Sequence, residues 1–88
     1  MEERDVNVCN SLGIHARPAS MIVQTAQRFR SNIELEKDGL SADAKSIMNV
    51  MMLAAAEGSR VRIRAEGKDE WEAVEAIAHL FESKFNEK

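Results

Sequence analysis

The sequence is poor in residues that cross-link or kink a chain: 88 residues include one cysteine, one proline, four glycines and no tyrosine. With Cys9 alone, an intrachain disulfide and a cysteine metal cluster are both excluded, and we expect Cys9 to pack in a strand. No apolar run is long enough to span a bilayer. The charged start, Met1 to Asp5, lacks the apolar segment of a signal peptide. We therefore expect a cytoplasmic protein that does not insert into membranes.

Positive charge is also scarce, since 12 Lys and Arg stand against 15 Asp and Glu, a net charge of -3. Proteins that bind nucleic acid usually carry excess positive charge, so a nucleic-acid partner is not expected. The sequence contains no Gly-rich phosphate loop and no metal-ligand spacing, so we expect no cofactor and no metal. Apolar residues at 44% and charged residues at 31% are typical of a globular chain, here one domain over residues 1–88.

Two periodicities divide the chain into short elements. Apolar and polar residues alternate in four stretches, which predicts strands with one buried face. Apolar residues recur at three- and four-residue steps in three others, which predicts amphipathic helices. The strands are predicted around Val6–Cys9, Ile33–Glu36, Leu40–Ala44 and Val61–Ala65, and the helices begin near Ala16 to Pro18, after Ser46 and after Asp69. Asp38-Gly39 predicts a two-residue hairpin between the second and third strands.

The predicted order is β-α-β-β-α-β-α. Four strands with one apolar face each and three helices with one apolar stripe each predict an α+β fold of two layers, an antiparallel sheet with the helices on one face. A ferredoxin-like arrangement shares the first six elements, so element order alone leaves the strand order open.

More local expectations concern the end of the chain. We expect Asp69 to cap the last helix, with Glu72 completing a capping box, and residues 86–88 to fray. The apolar stripe of this helix is predicted to hold Trp71, Val74, Ile77, Ala78, Phe81 and Phe85.

The charged face of the fourth strand is predicted to pair with Glu34 and Glu36 through Arg60, Arg62 and Arg64.

The stretch Gly13–Ala19 carries the strongest functional signal. Pro18 suits the first turn of a helix because its missing N–H is one that the helix could not bond. Ala16, Arg17, Pro18 and Ala19 would then form a helix start. Unpaired N–H groups and the positive end of the helix dipole favour an anion there, and phosphate is the usual occupant.

His15 lies at the mouth of this helix start. A neutral imidazole is a nucleophile toward phosphorus, and the positive helix end disfavours the imidazolium form. Arg17 adds a fixed charge that can pair with the oxygens of a transferred phosphoryl group. The alternative is that His15 merely begins a helix and Arg17 is a solvated surface charge.

Ser46 is predicted to be a helix N-cap, and its hydroxyl is also a candidate for phosphorylation, against the alternative that it only caps. The helix after it has more apolar residues than one stripe can bury in a thin domain. We therefore expect Ile47 and Met48 to be exposed and to dock a partner protein, the alternative being a wide core face.

Two motifs together resemble a known family. Gly-Ile-His-Ala-Arg-Pro-Ala at 13–19 and Lys-Ser-Ile-Met at 45–48 are similar to the histidine-containing phosphocarrier (HPr) family of the phosphoenolpyruvate-dependent phosphotransferase system. The resemblance covers nearly the whole chain, including the Gly67-Lys68-Asp69-Glu70 entry to the last helix. It implies a sheet order of 1-4-2-3.

The resemblance also implies a function. His15 would accept a phosphoryl group from phospho-enzyme I at Nδ1 and pass it to enzyme IIA domains, with Arg17 countering its charge. Ser46 would be phosphorylated by a dedicated kinase/phosphorylase where one is present, and a transcriptional regulator is a further possible partner. Ile47, Met48 and Met51 would lie in the shared docking surface, and the chain would be a monomeric relay rather than a stand-alone catalyst.

Three positions depart from the family pattern. Leu12 replaces the polar residue that sugar-branch members commonly carry before the motif glycine, and in this it resembles the nitrogen-regulatory branch, whereas the motif at 45–48 resembles the serine-regulated branch. Asn49 and Ala54 replace two glycines, so the second helix is expected to run longer than usual. A regulatory module that acts through phospho-Ser46 is therefore an alternative. A hydrolase with His15 as general base lacks a second catalytic group.

Overall fold

The computed structural model describes residues 1–87. Its elements are β1 (Glu2–Asn7), α1 (Ala16–Ala26), β2 (Asn32–Lys37), β3 (Leu40–Asp43), α2 (Ile47–Met52), β4 (Arg60–Glu66) and α3 (Glu70–Glu82), followed by a single turn over Lys84–Asn86. The strands form one antiparallel sheet in the order β1-β4-β2-β3. The predicted α+β architecture and the sheet order implied by the family resemblance are both confirmed. Within the described residues, none of the helices is long and apolar enough to cross a membrane.

The core lies between the sheet and the helices because the strand register aligns apolar residues on one face. Val6 of β1 is opposite Val61 of β4, and Ile63 of β4 is opposite Leu35 of β2. All four are buried, as expected for inward positions two residues apart along each strand. This face packs against α3. The ring of Phe81 in α3 meets the ring of Phe85, in the turn that follows, edge to face with centroids 5.0 Å apart.

The outer face of the sheet carries rows of opposite charge. Arg62 is opposite Asp5 on one side and Glu36 on the other, and Arg64 is opposite Glu3 and Glu34. The ion pairs formed are Arg62–Asp5 at 2.9 Å, Arg64–Glu3 at 3.4 Å and Arg64–Glu36 at 3.6 Å. The predicted pairing of β4 arginines with β2 glutamates is thus confirmed for Arg64, while the contribution of β1 was not foreseen.

The turn between β2 and β3 is the predicted two-residue hairpin. Asp38 and Gly39 both have positive φ angles, 51° and 83°, which is the backbone of a type I′ turn. Aspartate and glycine are favoured there because they tolerate the left-handed region better than other residues. The hairpin fixes the register that places Leu35 opposite Ala42 on the core side.

Two residues expected in the core are exposed. Cys9 follows β1. Buried and exposed side chains alternate along this segment, and Val6 and Val8 occupy the buried positions, so Cys9 lies on the exposed side together with Asn7. Trp71 is 57% exposed. At 100° per residue it lies about 90° from the centre of the stripe that α3 buries, at the edge rather than in the middle of that stripe.

The predicted capping box at the start of α3 is wrong. Asp69 occupies the N-cap position, but its side chain makes no cap hydrogen bond. It instead accepts hydrogen bonds from Arg30 and Ser31 in the loop after α1. The first turn is closed by Glu70, whose carboxylate accepts from the Gly67 N–H at 3.1 Å. The Asp69 carboxylate therefore bonds to donors in the loop after α1 and not to the N–H groups of its own helix.

The expectation of a longer second helix is also wrong. α2 ends at Met52, and Ala54 has a φ of 51°, in the left-handed region that usually takes glycine. Lys37 of β2 donates to the carbonyl oxygens of Leu53 at 3.1 Å and Ala54 at 3.3 Å. These two bonds satisfy carbonyls that the helix end leaves unpaired, so the chain turns here although no glycine is present.

Candidate functional site

The site is built on the first turn of α1, which begins at Ala16 with His15 as its N-cap. Pro18 has no N–H, and the N–H of Ala19 donates to the carbonyl oxygen of His15 at 3.0 Å. Within residues 1–87, the N–H groups of Ala16 and Arg17 therefore remain without a partner. In the helix start that was predicted to bind an anion, residues 16–19, these two N–H groups are therefore the donors that remain available to one.

The imidazole of His15 is held by the other end of the chain. Its Nε2 lies 2.9 Å from Oε2 and 3.2 Å from Oε1 of Glu87. An ionised carboxylate can only accept hydrogen bonds, so Nε2 must carry the proton of this contact. Nδ1 then bears the lone pair in the neutral ring and has no hydrogen-bond partner among the described residues. The side chain is 36% exposed.

Arg17 contacts the same carboxylate. Its Nη1 donates to Oε2 of Glu87 at 3.0 Å and to the carbonyl oxygen of Phe85 at 2.8 Å. The rest of the guanidinium makes no hydrogen bond with the described residues, and the side chain is half exposed. Arg17 is therefore fixed beside His15 by one nitrogen, which leaves the others to meet an anion.

Glu87 receives a third donor from inside the fold. Asn10 is fully buried, and its Nδ2 donates to Oε1 of Glu87 at 3.0 Å and to the carbonyl oxygen of Gly13 at 2.7 Å. Desolvation acts to raise the pKa of Glu87, but the hydrogen bonds from His15, Asn10 and Arg17 outweigh it. The pKa of this carboxyl therefore lies below its ordinary value, and Glu87 is a carboxylate at neutral pH.

The turn over Lys84–Asn86 brings Glu87 to this position. All three residues have positive φ angles, 57°, 54° and 59°, an unusual run for side chains other than glycine. Phe85 is completely buried against Phe81, which fixes the turn to α3. The expectation that the end of the chain frays is therefore wrong for Asn86 and Glu87, while Lys88 lies outside the described residues.

The loop that carries His15 is also tied to the segment after α2. The N–H of Ile14 donates to the carbonyl oxygen of Ala55 at 2.8 Å. Gly13 has a φ of 69°, and a Cβ atom on it would lie 2.6 Å from that carbonyl oxygen. Glycine is required here both by the backbone conformation and by the close approach of the two loops.

Ser46 lies at the start of α2, as predicted for an N-cap. Its hydroxyl oxygen accepts from the backbone N–H of Asn49 at 3.3 Å and from the Asn49 side chain at 3.0 Å. No contact joins Ser46 to His15 among the described residues. The two predicted sites are therefore separate, although α2 packs beside α1.

Apolar side chains are exposed on α2 and in the loop before α1. Ile47, Met48 and Met51 project from α2 with exposures of 41%, 72% and 43%, as the sequence predicted for the first two. Leu12, just before the motif glycine, is 73% exposed. These four exposed residues are here called the apolar surface.

Sequence reasoning did not find Glu87 or Asn10. Glu87 is 72 positions from His15, and neither periodicity nor a local motif marks a carboxylate near the end of a chain as part of a site. Asn10 is of a residue type common in turns, and nothing in its sequence context marks it as part of a site. Its full burial, which is uncommon for asparagine, becomes visible only in three dimensions.

The chain is similar to known proteins over nearly its whole length. Residues 2–83 match the family model described as PTS HPr component phosphorylation site. The phosphocarrier protein HPr of Xylella fastidiosa (strain Temecula1) is 47% identical over 87 residues, covering 99% of this chain and 98% of that protein. The HPr-like protein Crh of Halalkalibacterium halodurans is 48% identical over 82 residues, covering 93% and 98%.

A solved structure shows the same fold. The crystal structure of HPr from Thermoanaerobacter tengcongensis superposes with a TM-score of 0.96 at 48% identity, covering 100% of this chain and 99% of that one. Identity at this level over whole chains, together with the family match, shows common descent as well as a common fold. The chain belongs to the HPr family of phosphocarrier proteins.

Proposed function

We propose that this protein accepts a phosphoryl group on Nδ1 of His15 from phospho-enzyme I and passes it to enzyme IIA domains of the sugar phosphotransferase system. The Nδ1 lone pair forms a bond to phosphorus while the bond from phosphorus to the donor group breaks, its electron pair leaving with that group. The same step in reverse delivers the phosphoryl group to the acceptor. The protein is thus a relay and not a stand-alone catalyst.

One observation carries this proposal: His15 is partly exposed at the start of α1, with Nε2 bonded to Glu87 and Nδ1 without a hydrogen-bond partner among the described residues. The unpartnered N–H groups of Ala16 and Arg17 and the Arg17 guanidinium are the donors nearest to it in the chain. A phosphoryl group on Nδ1 gains its charge stabilisation from such donors. An exposed relay site also suits a group that must leave as easily as it arrives.

The test is phosphorylation with phosphoenolpyruvate and enzyme I. Wild-type protein should gain one acid-labile phosphoryl group, and His15→Ala should gain none. His79→Ala is the matched control, because His79 is the other histidine and is exposed on α3. An equal label on the His15→Ala variant would rule out His15 as the acceptor.

The apolar surface supports docking of enzyme I and enzyme IIA. Exposed methionines adapt to several partners because their side chains are flexible and polarizable. Ile47, Met48 and Met51 are exposed on α2, which packs against α1, the helix that His15 caps, and this supports a docking surface shared with His15. We propose that the protein works with these partners as a cytoplasmic monomer.

We propose a second, regulatory role at Ser46. Its hydroxyl lies at the surface end of α2 and holds the helix start through Asn49. Phosphorylation by an HPr kinase/phosphorylase would add negative charge next to the proposed docking residues and lower acceptance from enzyme I. Comparing Ser46→Asp with Ser46→Ala in the enzyme I reaction tests this, and equal rates in the two variants would refute it.

The alternative is a regulatory module that acts mainly by binding partners, such as a transcriptional regulator or a sensor of the nitrogen branch. The similarity to the HPr-like protein Crh and the apolar Leu12 favour it. The two functions separate in one experiment. If the wild-type protein passes phosphate to an enzyme IIA domain, the relay is supported, and if it is never phosphorylated at position 15, the regulatory reading stands.

A further inference from the structure

The ammonium group of Lys37 reaches from the end of β2 to the segment that follows α2. Its Nζ donates to the carbonyl oxygens of Leu53 at 3.1 Å and Ala54 at 3.3 Å. We propose that Lys37 is a positioning residue for phosphoryl transfer: through these bonds it holds residues 53–55, to which the loop carrying His15 is bonded. The inference rests on the proposed function of His15. No hydrogen bond or ion pair joins Lys37 to His15 within residues 1–87.

The first step of the argument is that the backbone of Lys37 is fixed. Lys37 is the last residue of β2 and is opposite Leu40 of β3. Side chains alternate between the two faces of a strand, so Lys37 lies on the same face as the buried Ile33 and Leu35. Only 20% of its side chain is exposed. The sheet therefore directs the ammonium group toward the helix layer.

The second step is that the segment receiving these bonds has an unfavourable backbone. Ala54 has a φ of 51°, which is costly for a residue with a Cβ atom. It follows the end of α2 at Met52, where carbonyl oxygens lack helical partners and the helix dipole is negative. An ammonium group supplies both hydrogen bonds and positive charge there. The turn after α2 therefore depends on a side chain from another element.

The nearby carboxylate of Asp38 does not replace these acceptors. It lies 3.9 Å from Nζ of Lys37, and its side chain is 85% exposed. An exposed ion pair at that distance contributes little. The two carbonyl oxygens are therefore the main partners of the ammonium group among the described residues.

The third step joins this turn to the histidine loop. The carbonyl oxygen of Ala55 accepts from the N–H of Ile14 at 2.8 Å, and Ile14 directly precedes His15. Ile14 and Ala55 are both buried, so water does not readily replace either partner. Because Ala54 and Ala55 are adjacent, a shift of Ala54 also displaces the acceptor of Ile14. Lys37 thus acts on the histidine loop through one peptide link and one hydrogen bond.

Residues 53–55 also lie between the two parts of the surface that a partner is proposed to meet. On one side is α2 with the exposed Met48 and Met51, and on the other is the loop of His15. A partner that docks on α2 and reaches His15 at the same time needs a fixed spacing between them. A misplacement of about 1 Å can cost on the order of 100-fold in rate. Lys37 helps to set this spacing before the partner arrives.

Lys37→Met is the test, because methionine keeps an apolar stem and cannot donate these hydrogen bonds. Lys68→Met is the matched control, since Lys68 is exposed before α3 and has no hydrogen bond or ion pair with the described residues. Amide hydrogen exchange measured by NMR should be about tenfold faster at Ile14 in Lys37→Met and unchanged in Lys68→Met. The amides of β4, an interior strand of the sheet, report global unfolding and should change by a smaller factor.

The kinetic readout uses the same variants with phospho-enzyme I. We expect kcat for phosphoryl acceptance to fall roughly threefold in Lys37→Met with little change in KM. The reason is that the histidine loop loosens while the exposed docking side chains remain on α2. A purely structural role would lower the unfolding temperature without this selective loss of kcat.

A second substitution tests the route through the turn. Ala54→Gly removes the backbone cost at position 54, so the segment should depend less on the ammonium group. Lys37→Met should therefore change Ile14 exchange and kcat by smaller factors in the Ala54→Gly background than in wild type. Equal factors in the two backgrounds would refute an action of Lys37 through this turn.

The outcomes separate the two proposals. If wild-type protein is not phosphorylated on His15, the proposed function fails, while the exchange experiment still reports whether Lys37 holds the histidine loop. If wild type is phosphorylated and Lys37→Met keeps the wild-type kcat, or loses rate while exchange at Ile14 and in β4 rises equally, the positioning role is refuted. A lower kcat with a selective increase at Ile14, both absent in Lys68→Met, supports it.

Discussion

Ser31 donates twice to one oxygen of Asp69, through its backbone N–H at 2.9 Å and through its hydroxyl. The other carboxylate oxygen accepts from the Arg30 N–H at 2.9 Å. The side-chain bond from Ser31 and then the backbone bond from Arg30 contribute most to lowering the pKa of Asp69 to about 2. Ser31 is buried, so this carboxylate joins the loop after α1 to the loop before α3.

We expect Asp69→Asn to lower the unfolding temperature at neutral pH, because an amide offers one weaker acceptor where the carboxylate offers two. The folded-state pKa of about 2 lies below the ordinary value of 3.8. The stabilisation by Asp69 is therefore complete above pH 3.8 and is lost as the pH falls toward 2. Thermal unfolding of both proteins across this pH range is the measurement, and their difference should shrink with acid.

Asp38→Asn is the control for that series. Asp38 is an exposed hairpin residue whose conformation asparagine also accepts, so the substitution should change stability little at any pH. A pH-independent difference between wild type and Asp69→Asn would contradict the assigned role of the charge.

Ala54→Gly should stabilise the protein. Ala54 adopts a φ of 51°, which costs a residue with a Cβ atom about 1 kcal/mol or more relative to glycine. Glycine also increases the entropy of the unfolded chain, so we expect a net gain of up to about 1 kcal/mol in the free energy of unfolding. Urea denaturation measures it. Ala55→Gly, one residue on and buried, should instead destabilise, and equal effects at both positions would refute the conformational argument.

Gly13→Ala should be more damaging than Gly39→Ala. Both glycines have positive φ, so each substitution pays about 1 kcal/mol for the left-handed backbone. At Gly39 the new Cβ meets nothing within 4 Å, whereas at Gly13 it would approach the Ala55 carbonyl oxygen to 2.6 Å. We expect a further loss of about 2 kcal/mol at Gly13 in urea denaturation, together with slower phosphorylation of His15. Equal destabilisation by the two variants would contradict the close approach.

Met48→Ala should weaken docking without weakening the fold. Met48 is 72% exposed, so its truncation leaves the core intact. Loss of an apolar anchor should raise the KM for enzyme I about tenfold with kcat unchanged. Trp71→Ala removes a larger exposed side chain from α3 and serves as the control. A KM that responds to Trp71 and not to Met48 would place the docking surface elsewhere.

Much of the fold was predictable because its signals are local. Alternation in β4, the Asp38-Gly39 turn and the Ser46 cap each involve residues within a few positions of one another, and all three are present. At two places where sequence reasoning was wrong, a contact from a distant segment decided the outcome. Asp69 bonds a loop 38 positions away rather than its own helix, and Lys37 stabilises the end of α2 from β2.

The residues of the candidate site also differ in whether local sequence signals could predict them. His15 and Arg17 could be predicted because proline and glycine mark the helix start that carries them. Glu87 could not be predicted, because its contact with His15 depends on the left-handed turn after α3 and on the buried Asn10, which bring together segments distant in the sequence. A carboxylate has no sequence pattern that marks it as the partner of a particular histidine.

The contact between Glu87 and His15 has a practical consequence for work with this protein. A purification tag joined after Lys88 would begin two residues beyond the carboxylate that holds the imidazole, and a histidine tag there would add competing rings and charges. At the other terminus the ammonium group of Met1 pairs with Glu70 at 3.1 Å on the surface. Loss of this contact should lower the free energy of unfolding only a little. Kinetic and NMR samples are therefore best tagged at the amino end, or with the tag removed.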